Sequence, residues 1–519
     1  MAPLRYSLTK LPIEAILTLT AAWALPFACG SLRAEENSLR AALESISAGE
    51  LQDHIHFLAD DTLEGREAGS RGGRAAAGYL ATLFEKAGLR PLGEKTSYYQ
   101  PFGNEMRNVL GVLEGSDPEL KQQYVLIGAH YDHVGYGNRR TSLGPYGFVH
   151  NGADDNASGT SALLELIDAF NRLPQPPKRS ILFACWDGEE QGLLGSKHWV
   201  ANPSIPLQQI VFAFNIDMIG RLRDQKVEVF GTRSSQGLRQ LLSRHNAEFG
   251  LELDFSWEMQ ANSDHHTFYA KSIPVLMLFT GLHDDYHRPG DDSDKVNAPG
   301  AEAVTRLLFS TAHEIAQRSD AISFRAGSRN ESPATRQQFE KSVPPSGPRL
   351  GMSWEQNGER LAVRSVQRGS AAERIGLRTG DQLIAINGQP IANDDQLRID
   401  ILAARNPLAI TVARDGQPDP VELRGDLDGQ PVRLGIAWRE VDAEPGTLMV
   451  VQVIPGSAAH LAGIREFDRI YAVGGQAFRN GEEFFRRINT LPAPLDLTIE
   501  RRGRIVQFQV AVPPLPQVD

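Results

Sequence analysis

Cysteine is almost missing from this chain: Cys29 and Cys185 are the only two in 519 residues. That excludes a disulfide framework, and if a leader carrying Cys29 is removed, Cys185 has no partner at all. Cys185 lies inside an apolar run, where a free thiol serves as a small hydrophobe. Positive charge is also in deficit, with 53 Lys and Arg against 64 Asp and Glu and a net charge of -11. Such a balance argues against nonspecific nucleic-acid binding, and no basic stretch interleaved with aromatics makes up for it. A comfortable membrane span is lacking as well. The apolar stretch Ala15 to Phe27 is too short for one and has Glu14 at its edge. With Arg5 and Lys10 before it and Ala28-Cys29-Gly30 after it, it has the layout of a secretory signal. We therefore expect 1–34 to be a signal peptide, and the mature chain to be exported, periplasmic or secreted, with no membrane span. Pro26-Phe27-Ala28 is a poor match to a lipobox, which disfavours a lipid anchor at Cys29.

What the chain has is a series of buried-strand patterns, each ending in chemistry. Tyr124 to Ala129 is apolar and delivers His130, with Asp132 two residues later. Ser180 to Trp186 is followed by Asp187-Gly188-Glu189-Glu190, Ile210 to Ile216 by Asp217, and Pro274 to Phe279 by a loop carrying Tyr286-His287. Between the first two, Gly152-Ala153-Asp154-Asp155-Asn156 places adjacent carboxylates before the helical pattern Ser158 to Leu173. Any one piece reads as a turn, a helix cap or a hydrogen-bonded histidine. Together they put imidazoles and carboxylates at the carboxyl ends of strands, where open α/β sheets collect their site residues. That ligand mixture suits zinc, and its number suits a pair of ions.

In order, HYD, GADDNASG, GEEQGLLGS, NIDMIG, SDHHTF and YHRPGD resemble the motifs of the secreted double-zinc aminopeptidases, a clan that includes glutamate carboxypeptidase-like enzymes and zinc glutaminyl cyclases. The resemblance covers roughly Glu50 to Ser319, including the lead-in LADDTLEGREAGSRGGRAAAGYLATLFEKAGLRPLG. It implies two zinc ions per chain. His130 and Asp217 would bind one, Glu190 and His287 the other, and Asp155 would bridge them. It also implies Glu189 as general base, Tyr286 as oxyanion stabiliser, and Asp132 behind His130 fixing its tautomer. His265 and His266 stay off the ligand set, and Asp264 would bind a substrate amine or orient a loop. His283, Asp284 and Asp285 read as loop residues.

Around these motifs we expect helices over Ser38 to Leu58, Gly73 to Ala87, Leu193 to Val200, Ser235 to Phe249 and Glu302 to Gln317. A strand over Asn108 to Glu114 is expected to pair with Tyr124 to Ala129 across a polar turn, and Val227 to Phe230 adds a strand. The fold class is then α/β, a mixed, mostly parallel sheet flanked by helices. The chain is too long for one ordinary domain. We expect a metallopeptidase domain over 35–320 and a polar linker over 321–347.

Two similar units follow. RLGMSW at Arg349 precedes VQRGSAAERIGLRTGDQLIAINGQPI, and RLGIAW at Arg433 precedes VIPGSAAHLAGIREFDRIYAVGGQAF. These resemble PDZ domains of the bacterial protease type and imply small β-rich domains over 348–426 and 430–515. PDZ domains accept extended peptides by strand addition, so peptide or protein C-termini are the expected partners, beside peptide substrates. The second unit departs from the pattern, with Arg465-Glu466-Phe467-Asp468 in place of Arg378-Thr379-Gly380-Asp381. An aminopeptidase is the expected activity. The alternatives are a single-zinc glutaminyl cyclase, which His130 followed by Asp132 disfavours, and a non-catalytic peptide binder, which the intact ligand set disfavours.

Overall fold

The computed structural model describes residues 36–320, 322–343, 347–358 and 360–514. The expected signal at 1–34 lies outside the described residues. Contacts gather the chain into two units, one of 36–223, 261–271 and 277–320, the other of 224–260, 272–276 and 322–514. No helix among the described residues is long and apolar enough to cross a membrane.

The first unit opens with helices α1 (36–45), α2 (Ala48–Leu58) and α3 (Arg71–Lys86). The single helix expected over Ser38 to Leu58 is thus two. Ser47 breaks it by capping α2: its side chain accepts the Glu50 N–H, and its own N–H goes to Glu165 at 2.9 Å. Apolar periodicity runs through the break because Leu43, Ile46 and Leu51 are all buried, so spacing alone hides the joint.

Strands β1 (Arg90–Pro91), β2 (Tyr99–Phe102), β3 (Met106–Leu113), β4 (Tyr124–His130), β5 (Ser180–Trp186), β6 (Ile210–Ile216) and β9 (Val275–Phe279) lie in the order β1-β3-β5-β4-β6-β9, with β2 on β3. The sheet is mixed. β3 runs antiparallel to β5, with Val109 opposite Cys185, and β4 runs parallel to both β5 and β6. The expected pairing of β3 with β4 is therefore incorrect, because β5 lies between them. β4 is buried at every residue. Such a strand is flanked by other apolar strands through helical crossovers, here α4 (Gly159–Asn171) and α5 (Leu194–Ala201). Proximity in sequence suggested a hairpin; burial on both faces overrides it. Helix α8 (Ala298–Gln317) starts four residues before expectation, with Asn297 capping Gly300 and Pro299 in the first turn. Phe170, Phe183 and Phe309 meet in the core.

Chain order around β4 sets the site. From β4 the chain moves to β5 on one side, then crosses to β6 on the other. That reversal opens a crevice at the carboxyl ends of the strands. His130 stands level with Trp186 and, two residues past the Gly128–Asn215 pair, level with Asp217. Gly128 is required within β4, since a Cβ there would lie 2.5 Å from the Trp186 indole nitrogen.

The second unit holds β7 (Lys226–Phe230) and β8 (Glu252–Phe255), which pair in parallel, and the helix Leu238–His245 between them. β8 is an addition to the expected strands. The segment read as a linker is structured. Within 322–343 lie a turn over Ala326–Asn330 and a helix over Pro333–Glu340 capped by Ser332. Phe339 from that helix packs against Val441, Ala443, Met449 and Val451, and its ring lies 5.6 Å from Trp257.

Two sheets with one element order make up the rest. The first contains Met352–Asn357, Arg360–Val366, Gln382–Ile386, Leu408–Ala413 and Val421–Gly425; the second contains Ile436–Glu440, Leu448–Val453, Arg469–Val473, Leu495–Arg501 and Arg504–Val510. The repeat extends to its pins. Arg414 pairs with Asp381, and Arg501 with Asp468, each at 2.7 Å. Arg349 and Arg433 of the repeated RLG motifs reach the carbonyls that end the long helix of their own repeat, Ile401 and Leu402 in one and Ile488 in the other. Phe467 takes the left-handed conformation that Gly380 has in the first β-rich repeat, so the divergent turn keeps its path at some backbone cost. Within this second unit, the second β-rich sheet is also bonded to the β7–β8 segment. Arg239 makes a buried pair with Glu500 at 2.8 Å, Leu253 donates its N–H to the Arg502 carbonyl at 2.9 Å, and Asn246 donates to the Gly503 carbonyl at 2.8 Å.

Candidate metal centre

Three loops and two strand ends converge in the crevice of the first unit. His130, at the end of β4, is buried, and its backbone carbonyl is held by the Thr160 hydroxyl at 2.7 Å. Its Nε2 faces Asp217 at 3.2 Å and Asp155 at 3.4 Å. Its Nδ1 faces the backbone carbonyl of Asp132 at 3.2 Å, with the Asp132 carboxylate at 3.7 Å. That carboxylate accepts the Glu189 N–H at 3.0 Å and the Glu190 N–H at 3.4 Å. The Asp132 carboxylate therefore ties down the Glu189-Glu190 backbone beside the imidazole.

Asp155 reaches the centre because its neighbours are tied down. The motif Gly152–Ser158 forms a wide turn, closed by the Ala157 N–H on the Gly152 carbonyl at 3.2 Å. Asn156 donates to the Ile216 carbonyl at 2.9 Å and accepts the Met218 N–H, and Asp154 accepts the Gly220 N–H at 2.6 Å. The residues on either side of Asp155 thus clamp the loop that carries Asp217. Asp291 accepts the N–H groups of Asp154 at 2.9 Å and Asp155 at 3.0 Å, and is itself paired with Arg221 at 2.7 Å. Gly152 is left-handed, and a Cβ on it would strike the His133 ring at 2.5 Å. Buried Arg66 donates to the carbonyls of Tyr131, Leu58, Asn151 and Gly152, joining both loops.

On the other side, His287 Nε2 lies 3.0 Å from both Asp155 and Glu190. Tyr286 stacks on the His287 ring with centroids 3.9 Å apart. His287 has a left-handed backbone, and its carbonyl accepts the Leu143 N–H at 3.0 Å. Each residue expected in the centre is therefore brought to it: His130, Asp132, Asp155, Glu189, Glu190, Asp217, Tyr286 and His287. Two residues were missed. His133 is buried with Nδ1 2.8 Å from Glu190, and its ring lies edge-on to His287 at 5.6 Å. Its signal was the third position after His130, in a loop rather than at a strand end. Asp291, within the YHRPGD motif, had no role assigned.

Asp264 is fully buried and takes the Ser196 hydroxyl, which places it between α5 and α7 (His265–Tyr269). Trp186, Trp199 and Phe268 pack against one another with centroids about 6 Å apart. His283 faces Asp154 at 3.3 Å rather than solvent. Burial pushes the Cys185 thiol up, which keeps it inert.

Electrostatically the crevice is a sink for positive charge. Burial opposes charge on His287, but the hydrogen bonds of Asp155 and Glu190 outweigh it and raise its pKa to about 11. For Glu190 burial acts upward, and the bonds from His133 and His287 hold it well below the usual range. Two groups could hold a metal ion, His130-Asp155-Asp217 and His133-Asp155-Glu190, with Asp155 in common. Imidazole and carboxylate donors of this kind fit zinc.

Residues 108–312 match peptidase family M28, and residues 362–412 match a PDZ domain. The chain is similar to leupeptin-inactivating enzyme 1 of Streptomyces exfoliatus, 28% identical over 51% of this chain and 56% of that protein. It is also similar to aminopeptidase YwaD of Bacillus subtilis (strain 168), 26% identical over 43% of this chain and 47% of that one. It spans about half the length of these curated relatives. Among solved structures, the LapA aminopeptidase of Legionella pneumophila aligns with a TM-score of 0.46 at 22% identity, covering 55% of this chain and 76% of that one.

Proposed function

We propose, on the premise that this chain carries a peptidase family M28 domain followed by a PDZ domain, that it is an exported zinc metallopeptidase removing N-terminal residues from peptides. The observation that carries the reading is the sharing of Asp155 by two groups of metal-ligand type, with Glu189 beside them. His130, Asp217 and Asp155 would hold one zinc, and Asp155, Glu190 and His287 the other. His133 competes with His287 for the second place, since it too faces Glu190. Zinc bound there supplies Lewis acidity, lowering the pKa of a water and polarising a carbonyl.

The chain's own groups do the rest. Glu189 takes the proton of the attacking water on its carboxylate and returns it to the leaving amine nitrogen. Burial pushes its pKa well up, which suits a group that must hold a proton between those steps. Burial and the neighbouring Asp155 also push Tyr286 up, so its hydroxyl stays protonated and can donate to the developing oxyanion. Asp132 keeps the His130 Nε2 turned into the centre. The acidic crevice attracts a free α-amino group, which favours cleavage at the N-terminal end.

Metal analysis of the purified chain should give two zincs, and chelation should abolish hydrolysis until zinc is restored. Turnover of aminoacyl substrates, with amino-blocked ones refused, tests the polarity. Full activity in a metal-free preparation would overturn the reading, and cleavage of blocked peptides alone would overturn the aminopeptidase assignment.

A further inference from the structure

A cavity of about 700 Å³ adjoins the centre. Glu189, Glu190, Tyr286 and His287 line one part of it, and the apolar side chains of Leu193, Val200 and Ala270 line another. Lys197 and Lys271 complete the wall. Both lysines are exposed and the two glutamates less so, which puts the glutamates deeper in the wall than the lysines. Lys197 is anchored by donating to the Gly192 carbonyl at 2.8 Å, leaving two of its N–H groups unused. Among the described residues neither ammonium is paired with a carboxylate, although the chain carries a net charge of -11. Solvated surface lysines are common. Two on the wall of the cavity that contains the candidate base, one of them pinned by backbone, form an anion-receiving edge in the same cavity as the amine-attracting glutamates.

We propose that this cavity selects substrates bearing a carboxylate close to the cleaved bond, which Lys197 and Lys271 receive while the α-amino group faces the glutamates. The carboxylate comes either from the free C-terminus of a very short peptide or from an acidic side chain. The volume is in the range of pockets that enclose small ligands. This inference rests on the metallopeptidase reading of the same site.

The test uses the zinc-loaded full chain and two substrate pairs: Leu-Gly against Leu-Gly-amide, and glutamyl against glutaminyl p-nitroanilide. At least one pair should show kcat/KM about 3- to 10-fold higher for the acid, the scale expected of exposed ion pairs acting together. The first pair reports a main-chain carboxylate and the second a side chain. In Lys197→Met/Lys271→Met that acid-to-amide ratio should fall towards one, mainly through KM. The double Arg variant should keep it, and high salt should erode it. Calorimetric titration with the acid and amide of a Leu-Gly analogue whose scissile amide is a methylene-amine reads the same preference without turnover. If nothing is hydrolysed, the peptidase reading fails, and the titration still judges the lysines. Equal values within both pairs, or a ratio unchanged in the double Met variant, would overturn the proposal.

Discussion

Glu189 and Glu190 are adjacent, yet their surroundings shift their carboxyl groups in opposite directions. Burial pushes the Glu189 carboxyl well up, which strengthens it as a base, while His133 and His287 hold Glu190 well below the usual carboxylate range. Glu189→Gln should retain zinc and fold while turnover falls by about 10²–10⁴; Glu190→Gln should lose zinc first. Metal analysis beside single-turnover rates separates them. Asp155→Asn should lower both metal occupancies, and retention of two tightly held zincs would remove it from the shared position. The raised pKa of His287 has a further consequence for pH. At neutral pH the metal-free imidazole carries a proton that a metal must displace, so zinc uptake should release protons and weaken as pH falls. Calorimetry in buffers of different ionisation enthalpy measures this directly. Most of these residues were legible because each follows an apolar strand. His133 and Asp291 were not, since loops carry no period that says where a side chain points.

At the scale of elements, the sequence told strand from helix better than it told neighbour from neighbour. Apolar runs located β4, β5, β6 and β9 to within a residue or two, because burial on both faces leaves an unbroken hydrophobic signature. Pairing is decided by crossovers that leave no local mark, and so β3 was assigned to β4 instead of β5. The α1–α2 joint and the Pro333–Glu340 helix show the same limit: a single cap residue, Ser47 or Ser332, sets the boundary. The loops of the site depend on Arg66, whose guanidinium serves four carbonyls from inside the protein. Arg66→Met should cost about 3 kcal/mol or more, as several buried acceptors lose their donor. A melting curve should show the loss, and Arg66→Lys should recover only part of it, since an ammonium cannot span the same fork.

At the scale of the whole chain, the repeated β-rich units were legible in outline and their attachment was not. A polar, Pro- and Ser-containing stretch reads as a tether, yet Phe339 is packed and the second β-rich sheet is bonded to the β7–β8 segment. Glu500→Gln would leave Arg239 buried without its partner, at a cost of about 3–5 kcal/mol. Removal of Arg433 to Asp519 should therefore lower the melting temperature and expose β8 to proteolysis, where a free tether would leave both unchanged. The Arg239–Glu500 pair also has a bearing on how the protein is made. The two residues are 261 positions apart, so Arg239 leaves the ribosome long before Glu500 exists. At ordinary elongation rates that interval is roughly 10–50 s. Throughout it, the β7–β8 segment waits in the nascent chain with its edge unpaired, a substrate for chaperones and quality-control proteases. Completion of the last hairpin ends that wait, so a chain that terminates early would be marked for removal by its own unfinished edge.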